Sequence, residues 1–449
     1  MTQLSDPRRR YRIFLLIMLM ALFNYIDRGA ISYGAASITS EYGLDRAQWG
    51  ALLGYFGYGY LLGALCGGFM ADGLGPRRVW MIAGGSWSIL AMMTAYAGDF
   101  GIAALGGSAM AGFATIRILF GFAEGPAYSA INKSISVWAT SKERGFVVAM
   151  GLVSTPLGAL LTAPIAIGLQ TLTGGWRAMF ICLGVVSLCL LIYFVRLYTD
   201  KPEDSRFISE EEKRYLAQER AAQEAQNQVQ QTSDEAKIPW WAFFLNRSLV
   251  LNAVAYFAFM YVNFLLLTWT PKYLEDQFHY SLSSLWYMGM IPWVGACFTV
   301  LLGGKFSDYI FRTTGSLVKA RSLFAATCLL LTSICFYFVS QAQSVWVAIG
   351  LIAVANAMNS LANSVYWAVV IDTAPKSRTG AFSGITHAIA NSAAIIAPTL
   401  TGYLTMKHGY SAMFVAAAIA TATGVIAMLF VRPGAQGKKT RYTPRPNAV

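Results

Sequence analysis

Asn24-Tyr25-Ile26-Asp27-Arg28 sets an acid beside a base inside the first long apolar run of a 449-residue chain. Met18 to Phe23 precede the pair and Ala30 to Ile38 follow it, so neither charge lies at the edge of that run. An ionisable group in hydrocarbon costs roughly 2.5–3.5 kcal/mol on insertion scales, and its usual setting is a watery cavity that handles ions or substrate. A second acid and base, Arg117 and Glu124, are spaced to share one helical face two turns apart. At 1.5 Å per residue, Glu124 lies about 13 Å along its helix from Lys133, and Asp27 ~22 Å from Arg12, near the depth of Arg117. Two acids and two bases sum to zero when all are ionised, which makes burial tolerable.

That sum suggests a chemistry. An anion entering the cavity needs a cation, and the arginine fork meets a carboxylate with two parallel hydrogen bonds. Arg28 is therefore expected to seat a substrate carboxylate, with Arg117 pairing with Asp27 in one protonation state. Asp27 and Glu124 are the candidate proton carriers, since an acid held between burial and a neighbouring arginine can titrate in the working pH range. The same pairs could instead be structural, holding two helices in register.

The elements that must position these groups are membrane helices. Apolar residues make up 56% of the chain and charged residues 12%, which no ordinary soluble domain matches. Apolar segments fall at about 12–37, 47–71, 79–97, 102–132, 145–169, 176–198, 248–274, 284–311, 322–341, 344–371, 379–405 and 410–431. They predict an all-α membrane protein of twelve transmembrane helices. Basic residues cluster before the first helix (Arg8, Arg9, Arg10, Arg12) and after the second (Arg77, Arg78), fourth (Lys142, Arg144), eighth (Arg312, Lys319, Arg321) and tenth (Lys376, Arg378). Lys438, Lys439, Arg441 and Arg445 close the chain, and the opposite loops carry few, so both termini are expected in the cytoplasm. The net charge of +12 thus orients the protein, and nucleic acid is not an expected partner. The six cysteines lie within apolar segments with no Cys-x-x-Cys spacing, which favours buried small hydrophobes over metal ligands or disulfides. The basic N-terminus and its apolar run resemble a signal peptide, but the length and the charged pair indicate a retained helix.

Residues 199–246 interrupt the pattern with charge and glutamine. They are expected to form a cytoplasmic linker between a six-helix half, 1–198, and a second half with a basic tail, 247–449. Ser209-Glu210-Glu211-Glu212 fits a capping box opening a short polar helix, with flexible chain from there to Ile238. The halves echo each other: Asp72 recurs as Asp308 (308 − 72 = 236), Arg144 as Arg378 (378 − 144 = 234) and Pro164 as Pro398 (398 − 164 = 234). A duplicated six-helix unit with a midplane site is the construction of a secondary transporter, which works by rocking one half against the other.

Gly68-x-x-x-Asp72-Gly73-x-Gly75-Pro76-Arg77-Arg78 resembles the loop 2–3 signature of the major facilitator superfamily, with a weaker copy after helix eight. The resemblance implies a cytoplasmic latch: Gly68 permits close helix approach, while Asp72, Arg77, Arg78 and Asp308 gate. Asp72 could also be a plain loop carboxylate. A narrower resemblance, over essentially the whole chain, is to the anion:cation symporter family, which includes bacterial galactonate, glucarate and hexuronate permeases. It rests on Asn24 to Arg28, Arg117-Ile118-Leu119-Phe120-Gly121-Phe122-Ala123-Glu124-Gly125-Pro126-Ala127, Leu267 to Leu274, and Asp372 to Lys376. That family's pattern implies Asp27 and Glu124 as coupling acids and Tyr25 and Tyr60 as cavity residues.

In the second half, Asn252, Tyr256, Phe259 and Asn263 share one helical face, as do Asn356, Asn359, Asn363 and Trp367. These are either walls for a hydroxylated substrate or interhelical glue, and Asn263, Asn363 and Trp367 are taken as candidate binding residues. The chain departs from the sugar-acid branch at Ala64, Thr155 and His387, where that branch has glutamine, glutamine and asparagine. His387 is either a second cation, suited to a doubly charged or sulfonated anion, or a neutral hydrogen-bonding group.

The combined expectation is a monomeric, proton-coupled importer of a sugar acid or hydroxycarboxylate in the bacterial inner membrane, with the proton as coupling ion and no cofactor. A sulfonate or aromatic carboxylate is the alternative cargo. A drug exporter is disfavoured by the central basic pair, and a channel would not need two matched halves. No His-Glu-x-x-His occurs, His279, His387 and His408 are scattered, and Gly85-Ser86 lacks a partner base, which argues against an enzyme.

Overall fold

A computed structural model describes residues 9–140, 143–230, 238–375 and 378–434, and all regular structure within them is helical. In the first half the helices are α1 (Arg10–Ala30), α2 (Ala35–Tyr42), α3 (Arg46–Leu74), α4 (Pro76–Val79) and α5 (Gly85–Thr94). There follow α6 (Ala97–Ala104), α7 (Ala109–Glu124), α8 (Ala127–Trp138), α9 (Arg144–Thr173) and α10 (Trp176–Leu197). The polar α11 (Glu210–Gln230) leads to the second half. That half holds α12 (Arg247–Phe278), α13 (Leu282–Met288), α14 (Ile291–Thr314), α15 (Phe324–Val339) and α16 (Val345–Leu361). It ends with α17 (Asn363–Thr373), α18 (Thr379–Asn391), α19 (Ala393–His408) and α20 (Tyr410–Phe430).

Among the described residues, ten helices are long and apolar enough to cross a membrane, or eleven if Pro76–Thr94 and Ala97–Ala104, bent by 77°, form one span. The α7–α8 stretch is not among them, because Arg117, Glu124 and Lys133 reduce its hydropathy. It begins at Ala109 rather than near 102: Gly106 and Gly107, at φ 71° and 80°, turn the chain where an L side chain would be strained. Helix starts are capped where the sequence allows. Asp45 and Gln48 form a complete capping box on α3 (2.8 and 3.0 Å), and Asn246 accepts from the amides of Ser248 and Leu249 on α12 (3.0 and 3.3 Å).

The linker departs from expectation. Its helix runs 21 residues to Gln230, into the glutamine-rich stretch expected to be flexible, since Ala, Gln, Glu and Arg are all good helix formers. Ser209 caps the amide of Glu212 at 3.3 Å. The Glu212 carboxylate, expected to reach back, faces Arg10 at 3.3 Å instead. Arg10 also binds Glu143 at 2.9 Å, so this helix is tied to the root of α1 by a buried charge cluster.

That cluster marks one end of the bundle. The Asp200 carboxylate at the same end accepts from the Arg77 amide (2.7 Å), and Ser248 donates to the Arg432 carbonyl (3.3 Å). At the opposite end Arg177 bridges Glu41 and Asp99 (2.7 and 2.9 Å), and Arg46 binds Asp276 (3.2 Å). There the halves meet, α3 packing along α19 and α9 along α14. A Cβ on Gly50 would come within 2.6 Å of the Pro398 carbonyl, and one on Gly402 within 2.5 Å of the Arg46 carbonyl. At the Arg10 end a Cβ on Gly68, Gly73, Gly151, Gly380 or Gly384 would meet nothing within 4 Å. The halves pack against each other at the Arg46 end. The close helix approach expected at Gly68 is not made in this conformation, a Cβ there meeting nothing within 4 Å.

Candidate substrate site

The charged residues read from the sequence come together where helices break. The α1 helix gives way to a 3-10 turn, Ile31–Gly34, just past Arg28. The α7 helix stops at Glu124 before Gly125-Pro126, α16 meets α17 at Ala362, and α18 meets α19 at Ser392. Discontinuous helices free backbone groups in the interior and are tolerated where they line a cavity. At the α7–α8 break a Cβ on Gly125 would strike the Ala64 amide at 2.3 Å, so only glycine lets α3 approach Glu124 so closely.

Arg28 is enclosed rather than open to a chamber. Its Nε and Nη2 both donate to Glu124 Oε2 (3.0 and 2.9 Å), and Nη2 also reaches Asn24 Oδ1 at 3.3 Å. The rings of Phe56, Tyr60 and Tyr25 lie 4.7, 4.7 and 4.8 Å from the guanidinium carbon, a cation–π cage in a desolvated setting. Exposure is 3% for Arg28 and 0% for Glu124, so this ion pair is sealed from water. Glu124 Oε1 has no hydrogen-bond partner, although it too is buried.

The expected Arg117–Asp27 pair is not formed in this conformation. Asp27 accepts from Ser187 Oγ at 2.7 Å, and its Oδ1 is unpartnered. Arg117 lies over Phe56 and Phe120, at 5.1 and 5.4 Å, with Nε unpartnered. Asp27 sits on the side of α1 that faces α10, and that orientation takes it to the serine.

The second half supplies a part-buried wall. His387 lies between Tyr128 (6.2 Å between ring centroids) and Trp367 (5.7 Å), bridging the two halves. Asn363 has an unpartnered Oδ1, whereas Asn263 donates to its own helix at the Phe259 carbonyl (3.0 Å). The amides left open between site and glue divide here. Asn252 donates to the Tyr366 carbonyl (3.0 Å), Asn356 to Pro292 (2.9 Å) and Asn359 to Phe259 (3.2 Å). These three tie helices together.

Of the residues expected to gate, the Arg77 guanidinium donates to the Val195 carbonyl at the end of α10 (3.1 Å), and Arg78 is exposed. Asp308 pairs with Arg321 (2.9 Å), which also holds Asp372 (3.1 Å). Each contact stays within one half. The Asp72 side chain lies outside the described positions. Sequence reasoning missed Phe56, Tyr128 and Ser187. Tyr128 was reachable, being one turn beyond Glu124, while nothing local marks Ser187 among the apolar residues of α10.

Buried charges at broken helices, in a helical bundle whose first and second halves pack together at one end, are the construction of a secondary transporter. The Major Facilitator Superfamily profile matches residues 17–398 and again 315–448, and the chain belongs to that superfamily, a multi-pass membrane transporter and not an enzyme. It is similar to the hexuronate transporter of Bacillus subtilis (strain 168), 28% identical over 94% of each chain. It is 28% identical to the probable sulfoacetate transporter SauU of Cupriavidus necator, over 95% of this chain and 94% of that one. The probable galactarate/D-glucarate transporter GarP of Escherichia coli (strain K12) is 26% identical over 94% of each. Among solved structures, a D-xylose–proton symporter superposes with TM-score 0.72 at 17% identity, covering 95% of this chain and 99% of that one. An inward-facing bacterial homologue of Spinster gives 0.70 at 16%, over 95% of each, so the likeness is one of fold.

Proposed function

We propose that this chain is a proton-coupled symporter that imports a sugar acid by alternating access. The observation that carries the reading is the Glu124 carboxylate occupying the Arg28 fork through two hydrogen bonds. A substrate carboxylate would make the same contacts, so anion and ionised Glu124 compete for one seat. A proton on Glu124, whose Oε1 is unpartnered, releases Arg28. Proton and anion then enter together. Asp27 is the second coupling acid, able to pass between Ser187 and Arg117 as the helices shift. Tyr25, Tyr60, Asn263, Asn363, Trp367 and His387 complete the binding surface, and Asp72, Arg77, Arg78 and Asp308 act as latches on the terminal side.

The relatives whose names specify hexuronate and galactarate/D-glucarate support a sugar acid. In this reading twelve helices cross the membrane, counting α4–α5 and α7–α8 as the third and fourth, and both termini are cytoplasmic. The protein works as a monomer in the bacterial inner membrane, and the conformation described is open to the cytoplasm. Proteoliposomes loaded with a pH-sensitive dye test it: adding a sugar acid outside should acidify the lumen. Uptake with no proton movement would refute coupling, and no uptake of any sugar acid would refute the cargo.

A further inference from the structure

The chain enters the second half through a turn made almost wholly of large apolar residues. Pro239 leads into a 3-10 turn, Trp240–Leu245, which Asn246 then joins to α12. Phe243 anchors the turn: it is fully buried and packs edge-on against Phe382 of α18, 5.6 Å between ring centroids, in a cluster with Leu249 and Ala253. With that residue turned inward, its neighbours are turned out. Trp240, Trp241, Phe244 and Leu245 are between 47% and 64% exposed.

Six residues are far too few to cross a bilayer, and four large apolar side chains facing water would invite aggregation. Aromatic residues beside the end of a span belong at the headgroup level, where an indole keeps its N–H wet and its rings in the acyl region. The turn lies where α12 begins and α20 ends, and the last residue of α20, Phe430, is exposed as well.

Charge singles out one kind of lipid. Ser248 donates to the Arg432 carbonyl and accepts from the Arg432 amide (3.3 and 3.0 Å), tying Arg247 and Arg432 into one junction. The Arg247 guanidinium lies over the Phe430 ring at 5.3 Å, and Arg432 Nη1 donates to the Leu429 and Val431 carbonyls at the end of α20 (2.8 and 3.1 Å). Both arginines are exposed, and among the described residues neither has a carboxylate partner. Two cations held at one junction repel, and an anion between them relieves the repulsion. The arginine fork suits a phosphate. A lipid phosphate at this depth also lays its acyl chains on Trp240, Trp241 and Phe244, contacts a free phosphate cannot make. A zwitterionic headgroup brings its own cation to the two guanidiniums and is disfavoured.

We propose that Arg247 and Arg432, rimmed by Trp240, Trp241 and Phe244, bind the headgroup of an anionic phospholipid at the end of the bundle where Arg10 lies. The linker is then fastened on both sides, α11 to the root of α1 through Arg10 and the aromatic turn to the leaflet. This site is independent of the cargo and of proton coupling.

Native mass spectrometry of the purified full-length protein reads the bound lipid directly. The first dioleoylphosphatidylglycerol should bind on the order of tenfold more tightly than dioleoylphosphatidylcholine. Equal affinity for the two lipids, as acids of the linker neutralising the arginines would produce, would overturn the proposal. Arg247→Gln and Arg432→Gln should each weaken phosphatidylglycerol about fivefold, the scale of one basic residue at a membrane surface, and leave phosphatidylcholine unchanged. Arg312→Gln removes another exposed arginine, at the end of α14, and should change neither lipid. A loss there as large as in Arg247→Gln would reduce the effect to the general charge of that face and overturn the site. Trp240→Ala should weaken both lipids alike, and no change with either would remove the rim. Displacement of the lipid by inorganic phosphate would overturn a lipid as the occupant. The wild-type comparison stands as a test even where a variant fails to fold.

Discussion

Replacing Glu124 by Gln removes the charge that Arg28 holds at 3.0 and 2.9 Å while keeping the shape of the side chain. Neither water nor salt reaches the site to supply a substitute, the two side chains being 3% and 0% exposed. Removing one partner of such a buried pair costs about 3–5 kcal/mol, and an anion that docks on Arg28 recovers part of it. In the wild-type protein with Glu124 ionised, the substrate must displace that carboxylate; in Glu124→Gln it need not. A charge-assisted contact of about 1.5–3 kcal/mol corresponds to an affinity gain on the order of ten- to a hundredfold for the variant. The sign with pH follows from the competition. Wild-type binding should strengthen as pH falls, because each proton taken by Glu124 releases Arg28, while the variant should keep only the weaker dependence that Asp27 supplies. Equilibrium binding of a radiolabelled sugar acid to purified protein measures both. In proteoliposomes the variant should exchange substrate yet fail to concentrate it against a pH gradient. A variant that binds more weakly than wild type, or that tightens with acidification as steeply as wild type, would refute the shared seat.

Other perturbations probe separate parts. Arg28→Lys keeps the charge but loses the planar fork and its cage of three rings, so substrate binding should weaken at least about tenfold, read by the same binding assay. Arg46→Ala removes the Asp276 pair that joins the halves at the closed end. Because Arg46 is 38% exposed, the pair contributes no more than about 1 kcal/mol. The shift toward the oppositely open state should therefore be modest, up to about fivefold, measured by spin-label distances across that end. At the root of α11, burial pushes the Glu143 carboxyl up, but the Thr140 amide and the Arg10 guanidinium outweigh it and hold it below its usual value. A depressed carboxylate stabilises the fold above its unfolded pKa, and that contribution is lost as pH falls through the folded value. Cleavage of the linker by an acid-tolerant protease, corrected for its own pH profile on an unfolded substrate, should thus accelerate as pH falls through the folded value of Glu143, and Glu143→Gln should be cleaved fast already above it.

The buried charged residues were legible because such charge is rare in a membrane chain. Asp27, Arg28, Arg117 and Glu124 stand out by residue type alone, and their depth follows from the helical rise. Which acid meets which base did not follow, because partners are chosen by helix rotation: Asp27 turns toward Ser187 on α10, and Glu124 toward Arg28. Asparagine faces were legible as faces but not as roles, since only the neighbouring backbone decides that Asn252 binds Tyr366 while Asn363 stays open. The linker was misread in length because polar composition was given more weight than helix propensity. The glycine-rich motif reads the same whether or not a helix packs on Gly68, so the open surroundings of that glycine left no mark in the sequence.

The most direct measurement is a structure with a sugar acid bound. The substrate carboxylate should lie on the Arg28 Nε and Nη2 fork, with Glu124 withdrawn and no longer accepting from it. A bound acid located elsewhere, with the Arg28–Glu124 pair still intact at its present 2.9 Å, would contradict the competition on which coupling depends.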